Sequence, residues 1–411
     1  MAKLRGFTKL TNVDEALRKL VSHAKVSVLE PETVTLNEAL GRVLAVDIIA
    51  PRDLPNFDRS AVDGYAVFAS DTFGASEFNP KKIRLVTGDQ IKPGTAVRVW
   101  TGSAMPAGAD AVVMLEFVRP HEDSIEVLKP VVPGQNVSPK GEDIPQGEIA
   151  LKKGQRLRPQ DLGLIAALGF VQVKVVRKPK IAVLSTGDEL VELGSIPKKG
   201  QVIDTNRLIL QAMIKELGGA PQDLGIVKDE LNEITERIAA GLATTDMVIT
   251  TGGTSVGKLD LVPDAINKLG NPGMLVHGIA MRPGRPTGLA VVDGKPILTF
   301  PGNPVAAMFS FEVFARPLIL KMLGIAAEPR PTVNAKLTRR IASTLGTKVF
   351  LRVWVFEKNG MLFAEPIRTT GSGILTTMTK ANGYVVIPET REFLEADEMV
   401  TVHLLNPVGG G

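Results

Sequence analysis

From residue 180 onward the chain switches between two hydrophobic periods. Residues 181–184 form a short unbroken apolar run of the kind a buried strand makes. Leu210, Met213, Ile214 and Leu217 then recur at helical spacing and stop at Gly218-Gly219. The same alternation repeats: a strand over 224–227, a helix face at Leu231, Ile234, Ile238 and Leu242, a strand over 247–249, and a helix around 262–269. Strands and helices alternating at this spacing imply a parallel sheet covered on both faces. Residues 289–292 and 296–300 flank Asp293-Gly294 and read as a hairpin. A long helix follows from about Pro304, kinked or interrupted at Pro317.

Other parts of the chain follow different rhythms. Residues 13–45 carry two helical patterns, one from Val13 to about Val21 and one around 36–44. Between Pro51 and about Pro139 short apolar runs (83–86, 96–100, 111–117) are broken by Gly and Pro, which predicts a β-rich unit. A turn-rich piece with a short helix near 160–168 leads to the basic, Pro-containing stretch Val176-Arg177-Lys178-Pro179-Lys180, a plausible boundary. After Glu328-Pro329-Arg330-Pro331 the helical period disappears. Strand patterns at 349–357 and 361–364, joined through Lys358-Asn359-Gly360, indicate a small all-β domain.

A chain of 411 residues is too long for one core, and two to four domains are expected. It has no cysteine, which removes disulfides, thiolate nucleophiles and cysteine metal sites. The four histidines, at 23, 121, 277 and 403, have no zinc-site spacing, so any metal must be held by oxygen. A net charge of +4 with dispersed Lys and Arg and 5% aromatics gives no basic stacking groove, so nucleic acid is not expected as a partner. No apolar run reaches membrane-spanning length and the start lacks a signal peptide's apolar centre, which fits a cytoplasmic protein.

The candidate chemistry lies in loops after predicted strands, the edge where open parallel sheets bind ligands. In residues 246–264, DMVITTGGTSVGKLDLVPD, an apolar run ends in Thr251-Gly252-Gly253-Thr254-Ser255 just ahead of a helix. Glycines there let backbone N–H groups approach an anion, Lys258 can neutralise it, and Asp260 can hold a metal. An ordinary strand–turn–helix connection, whose glycines serve only the turn, is the competing reading. Three more loops join it: Ser185-Thr186-Gly187-Asp188-Glu189-Leu190, Lys228-Asp229-Glu230, and Phe300-Pro301-Gly302-Asn303-Pro304. In the last, Asn303 suits an N-cap and Pro304 a first helical position. Carboxylates at Glu189, Asp229 and Asp260 beside an anion site would repel the ligand unless a hard cation such as Mg²⁺ lies between them. Arg282 and Arg285, set among Pro283, Gly284 and Pro286, suit paired recognition of an oxyanion, against the alternative of a solvated loop.

The strings PNFDRSAVDGYAV, TGSAMPAGADAVVMLE, GQNVSPKGEDI, LSTGDEL, DTNRLIL, TTGGTSVGKLD and FPGNPVAA, in this order, resemble the molybdopterin molybdenumtransferases, the metal-insertion enzymes of molybdenum-cofactor biosynthesis related to the gephyrin E domain. TTGGT alone would also fit the smaller molybdopterin adenylyltransferases. The resemblance runs from about residue 10 to the C-terminus and implies a multidomain α/β plus β fold. Its pieces would be a discontinuous N-terminal linker and dimerisation domain (1–48 and 144–178), an inserted β-rich domain (49–143), a central parallel-sheet α/β molybdopterin-binding domain (179–327) and a C-terminal small β-barrel-like domain (328–411). It implies a homodimer with a site shared between subunits, in which adenylylated molybdopterin and molybdate (or tungstate) give molybdenum cofactor and AMP with Mg²⁺. A molybdopterin adenylyltransferase is an implied partner. Carried over by motif, the functional positions are Asp63, Thr101 and Asp143; Glu189, Asp229, Asp260, Arg282, Pro301 and Pro304; and Ser372. Gly252, Gly253 and Ser255 would cradle the pterin phosphate. Many relatives have lysines around 277–285, where this chain has Gly278, Arg282 and Arg285. Competing functions are the adenylyltransferase of the preceding step and a non-catalytic cofactor carrier or scaffold.

Overall fold

The structure, a computed structural model, describes residues 10–253, 261–326, 328–367 and 371–408. Thr254, Ser255, Lys258 and Asp260, which the sequence assigns to the candidate site, lie outside the described residues. The chain forms two compact units, one comprising Met1–Glu32 with Val176–Gly411 and the other Thr33–Val175. Each is described by itself.

The first unit holds the α/β alternation. The strands Lys180–Thr186, Ala220–Val227, Met247–Thr251 and Lys295–Phe300 are separated by the helices Asn206–Glu216, Leu231–Thr244 and Leu261–Leu269. Across the six-stranded sheet the order is Ala220–Val227, Lys180–Thr186, Met247–Thr251, Lys295–Phe300, Gly288–Val292 and Pro272–His277. The first four strands are parallel, as expected, and Gly288–Val292 runs antiparallel to both its neighbours, so the sheet as a whole is mixed. The hairpin is the reason. Asp293 (φ 53°) and Gly294 (φ 88°) form a two-residue turn that can return only an antiparallel strand. One face of this sheet buries Leu184, Val248, Ala290 and Ile297 against Ile234, Ile238, Val262 and Ile266. Each such side chain contributes roughly 1.5–3 kcal/mol of burial.

The long helix after Pro304 is interrupted, as expected, but ahead of Pro317 rather than at it. Pro304–Ser310 and Arg316–Met322 are α-helical, and Phe311–Ala315 between them is a π-helical turn. Proline lacks an N–H and its ring crowds the carbonyl four residues back, and the widened turn absorbs that mismatch.

The same unit carries a closed five-stranded barrel. Lys348–Lys358 pairs with Met361–Pro366 and Gly383–Ile387, Thr332–Leu337 pairs with Met361–Pro366 and Met399–Leu404, and Gly383–Ile387 with Met399–Leu404 completes the ring. Closure removes the exposed strand edges an open sheet would present. Leu351, Val353 and Val355 alternate into the barrel core with Leu337, Val385 and Val402.

The second unit contains the expected β-rich region, a six-stranded sheet in the order Ala111–Met114, Gly64–Val67, Thr95–Val99, Lys81–Leu85, Ser124–Val127 and Val118–Pro120. Its core gathers Tyr65, Val67, Ile83, Val113 and Ile125. The helix expected around 36–44 is absent. Only the 3₁₀ turn Leu36–Glu38 forms, because Gly41 takes φ 72° and the following backbone is extended, with Leu44 N–H donating to Gln155 O at 2.9 Å. Leu44 is fully buried in that extended form, so an apolar spacing that suits a helix is satisfied by a partner far away in sequence. Among the described residues no helix is long and apolar enough to cross a membrane.

Candidate functional site

The four parallel strands all end at one edge of the sheet, which brings the four candidate loops together. The loop after Met247–Thr251 is governed by packing. A Cβ on Gly252 (φ 88°) would stand 2.1 Å from Thr186 O, and one on Gly253 (φ 62°) 2.5 Å from Thr186 Oγ1 and 2.9 Å from Val262. Both glycines are therefore demanded by the neighbouring strand and the next helix, whatever the loop binds. Gly252 N–H donates to Phe300 O at 3.2 Å, tying this loop to the one that follows Lys295–Phe300.

Asn206, at the start of its helix, strengthens the tie. Its Nδ2 donates to Thr251 Oγ1 and to Gly302 O, each at 2.8 Å, and Thr251 Oγ1 donates to Pro301 O at 3.3 Å. Around this edge Ser185 Oγ, Thr186 Oγ1, Thr250 Oγ1, Thr299 Oγ1 and Asn206 Oδ1 are buried and have no hydrogen-bond partner among the described residues. Such atoms are costly in a sheet interior, and their collection where the strands end marks the edge as more than a structural margin.

Carboxylates gather next to it. Glu189 folds back over Gly187 (φ 150°), with both carboxylate oxygens 2.8 Å from where a Cβ would stand, so that glycine makes room for the side chain. Asp229 N–H donates to Asp188 Oδ1 at 3.3 Å. Burial, reinforced by the charges of Asp188 and Glu189, raises the pKa of Asp229 above the usual carboxylate range. An all-oxygen group of like charges suits a hard cation such as Mg²⁺. Among the described residues no three acids stand close enough to ligate one ion, and Asp260 lies outside them.

Three arginines line a cavity of about 710 Å³ between the α/β part and the barrel of the first unit. Arg282, Arg285, Pro301 and Ser372, all expected site residues, line it together with Asn303 and Arg352. No acid is among its described lining residues. The arginine loop is held from both sides. Met281–Arg282 pairs in parallel with Lys348 and Val349 of the barrel, and Thr287 Oγ1, which donates to Gly284 O at 2.6 Å, meets Ser310 Oγ at 2.6 Å. Ser372 O accepts from Val305 N–H at 3.1 Å, which clips the barrel's loop to the helix that begins at Pro304, its first helical residue. Arg282 and Arg285 are exposed, whereas Arg352 is only 3% exposed. Burial, with the neighbouring charge of Arg282, lowers the pKa of Arg352 below the ordinary guanidinium value. Neighbouring guanidinium groups with no acid among the described lining residues suit an anion chemically.

Sequence reasoning missed Arg352 and Asn206 as members of these groups, and placed Asp188 in a candidate loop without giving it a role. The available signals were an arginine inside the apolar run Val349–Phe356 and an asparagine opening a helix directly after a strand-edge loop.

Asp63, Thr101 and Asp143 belong to the second unit. Thr101 donates to Asp63 Oδ1 through its N–H at 2.8 Å and its hydroxyl at 2.7 Å, and the backbone bond, then the hydroxyl bond, hold the Asp63 pKa below the usual range. Asp143 is exposed, its N–H donating to Leu54 O at 3.0 Å.

Fold and site together define a multidomain α/β-plus-barrel protein with an arginine-lined cavity and a glycine loop at the sheet edge. Comparison with known proteins narrows this. Three family descriptions match in order: MoeA N-terminal region (domain I and II) over residues 11–169, "Probable molybdopterin binding domain" over 182–321, and MoeA C-terminal region (domain IV) over 334–405. The chain is 40% identical over 380 residues to the putative molybdopterin biosynthesis protein MJ0666 of Methanocaldococcus jannaschii, covering 90% of this chain and 92% of that protein. It is 34% identical to the molybdopterin molybdenumtransferase of Bacillus subtilis, covering 97% and 95% of the two chains. A crystal structure of the molybdopterin biosynthesis moeA protein from Pyrococcus horikoshii superposes with a TM-score of 0.83 at 36% identity, covering 96% of this chain and all of that one. The chain belongs to the MoeA family of molybdopterin molybdenumtransferases and is an enzyme of that family.

Proposed function

We propose that the enzyme inserts molybdenum from molybdate, or tungsten from tungstate, into adenylylated molybdopterin and releases AMP. The observation that carries this reading is the cavity lined by Arg282, Arg285 and Arg352 beside Pro301 and Ser372, with no acid among its described lining residues. A tetrahedral dianion is matched by guanidinium groups, which donate paired, charge-assisted hydrogen bonds. Arg282 and Arg285 receive the oxyanion from solvent and Arg352 anchors it at depth. The loop Thr251-Gly252-Gly253, continuing through Thr254, Ser255 and Lys258, holds the pterin phosphate, with Pro301 and Pro304 shaping the opposite wall. Glu189, Asp229 and Asp260 would hold Mg²⁺, which supplies charge neutralisation at the pyrophosphate when bound. The protein's own part in cleaving the phosphoanhydride is positioning and electrostatic complementarity, with no covalent nucleophile.

The same proposal includes a cytoplasmic homodimer whose site takes Asp63, Thr101 and Asp143 from the partner's inserted domain. It also includes delivery of substrate by a molybdopterin adenylyltransferase, and division of the chain at 48/49, 143/144, 178/179 and 327/328. Incubating the purified protein with adenylylated molybdopterin, Mg²⁺ and molybdate should release AMP and form molybdenum cofactor. Binding without AMP release would indicate a carrier, and adenylyl transfer from ATP to molybdopterin with pyrophosphate release would indicate the preceding step. Mixing Asp63→Ala chains with Glu189→Ala chains should restore activity in the heterodimer. Subunit exchange without restoration would overturn the shared site.

A further inference from the structure

The geometry points to Asn206 as a positioning residue that sets the separation of the two loops facing each other at the sheet edge, and with it the alignment of the phosphate-bearing substrate. This rests on the functional reading above. Asn206 is 7% exposed, so its role is internal to the fold, and it follows Asp204 and Thr205 at the mouth of its helix. Asp204 Oδ1 accepts from Arg207 N–H at 3.2 Å, which holds this helix start in place. From there the amide reaches across to both loops at once, to Thr251 Oγ1 before the glycines and to Gly302 O in the Pro-Gly-Asn-Pro turn, each at 2.8 Å.

The amide's orientation follows from chemistry. Gly302 O is a carbonyl and can only accept, so the atom facing it must be the NH₂ group. Among the described residues that leaves Oδ1 buried with no partner, so the donor end does the clamping. Gly252 N–H to Phe300 O, at 3.2 Å, is a second strap between the same loops. Thr251 Oγ1 to Pro301 O, at 3.3 Å, is a third, and Asn206 adds two shorter bonds, the one to Gly302 O lying furthest into the turn. Neither loop can be moved without breaking a bond to this one amide.

The test compares Asn206→Ala and Asn206→Asp with the wild-type full-length chain. The aspartate keeps the shape but, ionised, cannot donate, and it turns a carboxylate toward Gly302 O. Both variants should lose about 10- to 100-fold in kcat for AMP release, the scale expected of slight misplacement. KM for adenylylated molybdopterin should stay within about threefold, and the melting temperature should change little. Amide hydrogen exchange supplies an independent readout. The amides of Gly252 and Val305 should exchange at least about tenfold faster in both variants, while the interior sheet amides between Met247–Thr251 and Lys295–Phe300 keep their protection. Unchanged exchange at Gly252 and Val305 would overturn the clamp whatever the activity. So would a joint fall in kcat, melting temperature and protection across the whole sheet, which would mark Asn206 as a fold residue only. If wild-type chain released no AMP, the functional reading would fail, and the exchange comparison would still decide the clamp.

Discussion

At the sheet edge Asp229 is crowded by Asp188 and Glu189, and burial and repulsion together raise its pKa. In the cavity beside the barrel Arg352 is crowded by Arg282, and burial and repulsion lower its pKa. These are mirror images. In each place the fold presses like charges together in partly desolvated surroundings, where a counter-ion is worth more than it would be in water. They differ in how they are held. The carboxylates stand on loops that leave separate strands, whereas the arginine loop is stitched to a barrel strand and, through Thr287 and Ser310, to a helix. The acidic loops are joined to each other instead, Asp229 N–H donating to Asp188 Oδ1 at 3.3 Å and Gly187 N–H to Val227 O at 3.2 Å.

The largest expected effect tests the buried half of the anion site. Arg352→Met removes charge-assisted hydrogen bonds worth about 1.5–3 kcal/mol, so half-saturation by molybdate should rise about 10- to 150-fold. A variant that binds molybdate normally would break the symmetry between the two charge groups.

Next comes the opposite charge group. Glu189→Gln should lower AMP release by about 10-fold or more, since a neutral amide is a poor ligand for Mg²⁺, and added Mg²⁺ should recover part of the loss. Activity insensitive to both the substitution and the Mg²⁺ concentration would remove the cation from this edge.

A smaller change at the cavity mouth sharpens the contrast between exposed and buried arginines. Arg282→Ala should weaken molybdate binding about tenfold and leave adenylylated molybdopterin unaffected, and Arg282→Lys should recover much of it because charge returns without the fork. Equal losses for both ligands in a titration of each would show that this loop does not discriminate between them.

The smallest effect serves as a control away from both sites. Asp246 is partly buried, which opposes ionisation, but hydrogen bonds of 2.7 Å from two Arg177 nitrogens outweigh this and its pKa is lowered. A carboxylate with a depressed folded pKa adds stability above its unfolded value, near pH 4, and loses it as pH falls through the folded value. Asp246→Asn should therefore melt a few degrees lower at pH 7, with the gap closing below about pH 4. A gap independent of pH would mean that shape, not charge, carries the contact.

Much of the molecule is legible in its residue order. The helix spacing of Leu210, Ile214 and Leu217, and the apolar runs ending in Thr186 and Thr251, record burial directly, because a residue's face follows from local periodicity. Asp293-Gly294 and Asn359-Gly360 announce their turns, since few residues accept positive φ twice in succession. Residues 36–44 mislead for a complementary reason. Their spacing suits a helix, but the backbone partners are at Gln155 and Leu157, more than a hundred positions away.

The sequence by itself determined the α/β and β regions, the lack of any cysteine, and the arginines, carboxylates and glycines offered as candidates for the site. These are properties of residue type and short-range order. Only the tertiary structure decided that Arg352, from the middle of a barrel strand, shares a cavity with Arg282 and Arg285, and that Asn206 ties Thr251 to Gly302. It also showed that Gly252 and Gly253 are obliged by Thr186 before any ligand arrives. Such facts depend on which strands lie side by side and how a barrel packs on a helix. Those are set by the sum of many long-range contacts, and no local pattern encodes them.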